Sequence, residues 1–230
     1  MYSFFSYIDF LKSRLSSNKV FLAFDGGHSF KSSIDISYKN KRRKSERFSE
    51  KVKLIYDIVL TLSNYYVIIN KNLEADDVSF CFCRDNNHCI CVSEDYDWLY
   101  NLTANSDINV YRNKTIVSKE NFEFLFNYPL EKIELDLFLR GDIKDNVRKP
   151  FRLRGSILEN IHRYKNINEY ILKNKLENPE VSQYKNLIFP VSDQPYRIME
   201  GRKNSKTQNY INHYNLDFLR SQLVEEQSLI

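Results

Sequence analysis

The sequence predicts an α/β protein built on a parallel sheet whose strand ends carry a ligand site. Two observations predict it. Short apolar runs, KVFLAF at 19–24, YYVIIN at 65–70 and CICV at 89–92, alternate with helical stretches, as in βαβ units. Acids follow each run, at Asp25, at Glu74-Ala75-Asp76-Asp77 and at Asp95 and Asp97. Open α/β sheets place their ligands just past the carboxyl ends of strands.

At 230 residues the chain has room for one core with a small appended module. Hydrophobic residues make up 42% and charged residues 28%, as in ordinary globular proteins. No apolar run is long enough to cross a bilayer. The N-terminal MYSFFSYIDFLKSRL is interrupted by Asp9, Lys12 and Arg14, which excludes a secretory signal. The net charge of +4 is mild, so its distribution matters more than its size.

The elements follow in order. Phe4, Phe5, Ile8, Leu11 and Leu15 recur at helical spacing and predict a core-facing helix over 1–15. KVFLAF reads as a buried strand ending in Asp25-Gly26-Gly27. The pair DG is also a plain turn signal. Between Lys39 and Lys53 eight Lys or Arg face only Glu46 and Glu50. Such a run is commonly a solvated helix face, but beside a carboxylate cluster it also suits phosphate binding. Val52, Ile55, Val59 and Leu62 predict a helix leading to the strand YYVIIN.

The acidic stretch Asn72–Trp98 is the densest chemical signal. A helix over 78–83 starts beside EADD, where the helix dipole favours acids. Asp85-Asn86-Asn87 is a turn, and 89–92 reads as a buried parallel strand. Five carboxylates gathered at strand ends repel one another unless a cation neutralises them. Hard divalent ions, Mg²⁺ or Mn²⁺, take oxygen ligands of this kind. A solvated helix start and an acidic loop are the bland alternative. Cys81, Cys83, Cys89 and Cys91 lack the usual zinc spacing and read as core thiols in a reducing compartment.

Further on, 109–112 is strand-like and 122–128 is an aromatic core segment. Asp142 and Asp145 follow a helix that ends near Gly141, and Arg148, Lys149, Arg152 and Arg154 come next. Acids followed by bases suit a metal site beside a backbone-binding hairpin; a polar loop is the alternative. Helices are expected over 157–164 and 169–176. Residues 179–209 read as irregular, with GRKNSK at 201–206 mobile, and 216–224 as a closing helix.

The order strand-FDGG, YKNKR, helix, strand-LEADD, strand-SEDYDW, helix, GDIKDN and basic hairpin resembles the flap endonuclease / 5′-3′ exonuclease family, including bacteriophage exonucleases and ribonuclease H enzymes. The resemblance spans roughly residues 1–161. It implies a PIN-like nuclease domain at 1–135 and a helix-hairpin-helix-type helical module at 136–230. It implies two divalent ions held among Asp25, Glu74, Asp76, Asp77, Asp95, Asp97, Asp142 and Asp145. Lys39 and Arg42 would act on the scissile phosphate. Tyr38, Lys41, Arg43, Lys44, Arg47, Arg148, Lys149, Arg152 and Arg154 would contact nucleic acid, with Tyr38 stacking on a base. The segment 43–52 would form a short arch.

The implied activity is a metal-dependent structure-specific 5′ nuclease in DNA replication or repair. It would act on DNA at a 5′ flap or duplex end, or on an RNA–DNA hybrid, in the cytoplasm of a host cell. The alternatives are a replication accessory protein of the same fold without turnover, and a ribonuclease acting on single-stranded RNA. Two departures stand out. The family's first strand, with its aspartate, precedes the helix at which this chain starts. Either a second polypeptide supplies that strand, or the start lies upstream, or the sheet is rebuilt. And NVRKPFRLRG replaces the apolar and glycine residues of the family hairpin, which leaves charge-based contact with the nucleic-acid backbone.

Overall fold

The computed structural model describes residues 1–27, 29–40, 46–105, 107–201, 207–216 and 218–219. In chain order the elements are α1 (Tyr2–Arg14), β1 (Val20–Ala23), α2 (Phe30–Ile34), α3 (Glu46–Val59), β2 (Tyr65–Ile69) and α4 (Ala75–Asp85). Then come β3 (Ile90–Val92), a 3-10 helix at Asp97–Thr103, β4 (Asn109–Arg112), β5 (Thr115–Val117), α5 (Lys119–Phe126) and α6 (Ile133–Arg140). The last elements among the described residues are α7 (Ile157–Arg163), α8 (Ile167–Lys173), α9 (Pro179–Ile188), β6 (Arg197–Glu200) and α10 (Thr207–His213). The fold is mixed α/β, and the chain divides into two compact units.

The first unit comprises Met1–Phe24, Arg43–Ile69 and Arg197–Ile230. Its sheet runs β1-β2-β6. β1 pairs parallel to β2 with Val20 opposite Tyr65, and β6 pairs antiparallel with Ile68 opposite Ile198. Phe5, Ile58, Val59, Leu62, Tyr65, Val67 and Ile211 form its core. All four residues of β1 are half-buried, so KVFLAF is a strand with partial cover rather than a buried one.

The second unit comprises Asp25–Arg42 and Asn70–Tyr196. Its sheet runs β3-β4-β5, with β3 and β4 parallel and β4 and β5 antiparallel. β3 is parallel as expected, but it lies at the sheet's edge. Cys91 is buried while Ile90 and Val92 are exposed. A four-residue apolar run does not distinguish a half-covered strand from a fully covered one. The core gathers Leu99, Leu102, Val110, Phe122, Ile133, Phe138, Ile161 and Tyr184. Phe122 and Tyr128 belong to it, but Phe124 on α5 is exposed.

The expected α/β fold is present, but its parallel pairings, β1 with β2 and β3 with β4, are divided between two sheets, each extended by an antiparallel strand. The irregular reading of 179–209 is corrected as well. Residues 179–188 form α9, capped by Asn178 with Pro179 at its first turn, a standard helix start. Val181, Tyr184 and Leu187 are its buried stripe. β6 then completes the first sheet. The three buried thiols, Cys81, Cys83 and Cys91, are core residues as read, and all four cysteines are free. The basic stretch 202–206 and most of the expected closing helix at 216–224 lie outside the described residues. Among the described residues no helix is long and apolar enough to cross a membrane.

Candidate metal centre

The acids of the second unit converge through α4. Its first turn carries Asp76 and Asp77, as the dipole favours. Ligand oxygens of Glu74, Asp76 and Asp77 lie within 4.8 Å of one another. Gly26 makes the approach to this turn close. Its N–H donates to Leu73 O at 2.7 Å, and a Cβ there would sit 2.3 Å from Asn70 O. Asp25 then accepts from the Ala75 N–H through Oδ1 at 3.1 Å. The glycine is needed for a backbone approach, a different reason from the turn freedom that DGG suggests.

Glu74 and Asp77 are almost fully buried. Glu74 Oε2 accepts from the Tyr38 hydroxyl at 2.8 Å, and Oε1 lies 2.7 Å from Lys39 Nζ. Asp77 Oδ1 accepts from the Val191 N–H at 3.0 Å, and Oδ2 accepts from the Glu74 N–H at 3.3 Å. Asp76 is more open. Its Oδ1 accepts from the Asp77 N–H at 2.8 Å. Burial pushes the Asp77 carboxyl up, against the pull of Lys31.

The GDIKDN turn docks on the YK segment. Lys39 N–H donates to Asp145 O at 2.9 Å, and Asn146 Nδ2 donates to Ser37 O at 3.1 Å. Lys39 Nζ lies 3.3 Å from Asp145 Oδ2, so one ammonium bridges Glu74 and Asp145. Lys39 adopts a left-handed backbone, φ 55, a conformation that is uncommon outside glycine. Asp142 Oδ1 accepts from the Asp145 N–H at 3.1 Å.

Asp97 follows β3 at the head of the 3-10 helix. Its Oδ1 is buried with no hydrogen-bond partner among the described residues. Burial first, then the charges of Asp76, Asp95 and Asp142, raise its carboxyl to about 6. Asp95 is exposed. Asp76 and Asp97 line a small cleft together with Phe80, Trp98 and Tyr100.

Asp25, Glu74, Asp76, Asp77, Asp95, Asp97, Asp142 and Asp145 all belong to the second unit. A hard cation fits the group that Glu74, Asp76 and Asp77 form. The oxygens are carboxylates, and the orphaned Asp97 Oδ1 is an acceptor without a donor.

The basic residues divide differently. Arg42, Lys41, Arg43 and Lys44 lie outside the described residues, as does the start of the expected arch. Arg47 is exposed on the first turn of α3, in the first unit. Arg148, Arg152 and Arg154 are exposed. Lys149 is half-buried and donates to Leu139 O at 3.1 Å, so it caps the end of α6. The expected hairpin is a single bridge, Asp142 to Val147, followed by irregular chain to α7. Tyr38, expected to stack on a base, is 6% exposed with its ring in the core. Its hydroxyl instead fixes Glu74.

Sequence reading missed two features. Lys31 on α2 is 3% exposed and sits among Glu74, Asp76 and Asp77. The carboxylates raise its ammonium against the effect of burial. A single lysine in FKSSI carries no periodic or motif signal. Asp136 is fully buried against Arg140, one turn on along α6, with both carboxylate oxygens accepting from Nε.

The chain belongs to the 5′-3′ exonuclease family: residues 1–127 match the model of its N-terminal resolvase-like domain. Solved structures of a bacteriophage T5 protein share the fold. One, co-crystallised with metal ions, is 17% identical, covers 81% of this chain and 79% of that chain, and superposes with a TM-score of 0.65. A second is the T5 flap endonuclease in a pseudo-enzyme–product complex with DNA and metal ions, at 18% identity, 81% and 76% coverage, and TM-score 0.61. A third is T5 5′-exonuclease with bound zinc, at 18% identity, 80% and 75% coverage, and TM-score 0.59. No curated protein matches at the level of sequence.

Proposed function

We propose that this chain is a divalent-metal-dependent, structure-specific 5′ nuclease acting in DNA replication or repair. The observation that carries the reading is the acid cluster: Glu74, Asp76 and Asp77 within 4.8 Å of one another, with the orphaned Asp97 Oδ1 in the same unit. Family membership supports hydrolysis of a phosphodiester as the reaction. The T5 complex with DNA and metal ions supports DNA as substrate and metal as cofactor.

Asp25, Glu74, Asp76 and in part Asp77 would hold a first Mg²⁺ or Mn²⁺, Asp95 and Asp97 would complete the cluster, and Asp142 and Asp145 would contribute to a second ion. Such ions supply an activated water and stabilise the leaving oxygen. Asp77 holds the start of α4 in place through its two backbone contacts. Tyr38 fixes the orientation of Glu74. Lys39 is 24% exposed at its side chain and would stabilise charge on the scissile phosphate, with Arg42 beside it in sequence. Arg148, Arg152 and Arg154 would contact the duplex backbone, with a charge-dependent and salt-sensitive contribution. A 5′ flap or duplex end, or an RNA–DNA hybrid, is the substrate class. The domain reading is a nuclease domain at 1–135 and a helical duplex-binding module at 136–230, of which Arg197–Ile230 belongs to the first compact unit. A second polypeptide supplying a strand finds no support in the comparisons.

The test is cleavage of a labelled 5′-flap duplex and a matched RNA–DNA hybrid, with Mg²⁺, with Mn²⁺ and with chelator. Metal-dependent cutting that Asp95→Asn/Asp97→Asn abolishes supports the reading. Salt-sensitive junction binding without cutting overturns it in favour of an accessory protein of the same fold.

A further inference from the structure

Lys31 is a charged side chain that cannot reach a substrate, since only 3% of it is exposed. Burying an ammonium is costly unless opposite charges compensate it. Three do. Lys31 Nζ lies 3.2 Å from Asp77 Oδ1, 3.9 Å from Glu74 Oε2 and 3.9 Å from Asp76 Oδ2. One distance is clearly shorter than the other two. Only the Asp77 contact is short enough for a hydrogen bond. Asp77 is itself pinned by the Val191 and Glu74 N–H groups. Lys31 is therefore anchored on a fixed post, and Glu74 and Asp76 feel its charge without spending an oxygen on it.

That arrangement gives the ammonium a consequence for cation binding. It offsets the mutual repulsion of the three carboxylates when no ion is bound. It also opposes any divalent cation that approaches the same carboxylates.

We propose that Lys31 is a resident counter-cation and positioning residue: it holds Glu74 and Asp76 together in the metal-free protein and weakens the centre's affinity for the divalent ion. This rests on the metal-centre reading above. The site would thus be pre-formed rather than assembled by the metal, and its ions would exchange readily.

The test titrates Mn²⁺ by calorimetry into wild type, Lys31→Gln and Lys31→Arg, without nucleic acid. Melting of each protein is also followed in chelator and in saturating Mn²⁺. Removing one charge at about 4 Å from two ligands should tighten Mn²⁺ binding by about tenfold or more. Lys31→Gln should melt well below wild type in chelator and regain most of that difference in Mn²⁺. Lys31→Arg should keep its Mn²⁺ affinity within about threefold of wild type.

Wild-type affinity in Lys31→Gln, or an equal melting deficit with and without Mn²⁺, overturns the proposal and leaves the metal centre standing. If Lys31→Gln fails to fold in chelator but folds in Mn²⁺, the divalent ion has replaced the ammonium, as proposed. Failure in both conditions overturns it. A wild type that binds no Mn²⁺ removes the metal-centre reading itself, which is a separate result.

Discussion

The Tyr38 hydroxyl donates to Glu74 Oε2 across 2.8 Å, joining the segment after α2 to the residue that starts α4. Burial and the Glu74 charge push the phenol far up its scale, so it stays a donor at any working pH. Tyr38→Phe keeps the ring in the core and removes that donor. A hydrogen bond to a charged group is worth about 1.5–3 kcal/mol, so the denaturant midpoint should fall accordingly. Since Lys39 still holds Glu74 Oε1, cleavage should drop less than in Glu74→Gln.

Asp97 gives the metal-free protein a pH dependence. Its carboxyl is raised to about 6 in the folded chain, by burial first and then by Asp76 and Asp95. It titrates near 3.9 when unfolded. The folded state therefore binds the extra proton between those values. Stability from this group is full below about 3.9 and is lost as pH rises through about 6. In chelator, wild type should lose stability across that window, and Asp97→Asn should lose distinctly less. Saturating Mn²⁺ should shift the wild-type window to lower pH. Urea midpoints at pH 4, 5, 6 and 7 give the curves.

The two glycines after Asp25 are expected to differ sharply. A Cβ on Gly26 meets Asn70 O at 2.3 Å and the Lys71 carbonyl at 2.6 Å, all backbone. A Cβ on Gly27 meets nothing within 4 Å. Gly26→Ala should cost about 1–3 kcal/mol or more, as overpacking does, and should displace the Asp25–Ala75 contact. Gly27→Ala should stay within about 0.5 kcal/mol of wild type. Thermal melts of the two variants side by side decide it.

Asp136 is fully buried and Arg140 is its partner. Arg140→Met leaves the buried carboxylate with the Tyr96 and Tyr128 hydroxyls but no counter-charge, and losing one partner of a buried pair costs about 3–5 kcal/mol. The guanidinium is 43% exposed, and solvent screening places the expected cost at the lower end of that range. Asp136→Leu/Arg140→Met should recover most of it. A double-mutant cycle in urea measures the coupling.

Much of the local grammar was readable in the chain. Apolar spacing places α1, and EADD opens α4 because acids favour a helix start. Asp95 and Asp97 fall past β3 because a short apolar run ends at Ser93. The carboxylates that share one unit were legible because their like charge makes their repetition conspicuous along a sequence. α9 escaped notice although Asn178-Pro179 is a helix-start signal, since its buried stripe of Val181, Tyr184 and Leu187 is thin.

What the sequence by itself determined is the chemistry available: oxygen ligands, lysines and tyrosines in that order around short strands. Only the tertiary structure decided which of them meet. Tyr38 looked like a surface aromatic but is drawn into the core by its bond to Glu74. Lys149 looked like a backbone contact but caps α6. Lys31 looked like nothing, and is held among three carboxylates. The physical reason is the same for each. A side chain's charge is written in the sequence, but its burial and partners depend on distant segments, and those set what the charge can do.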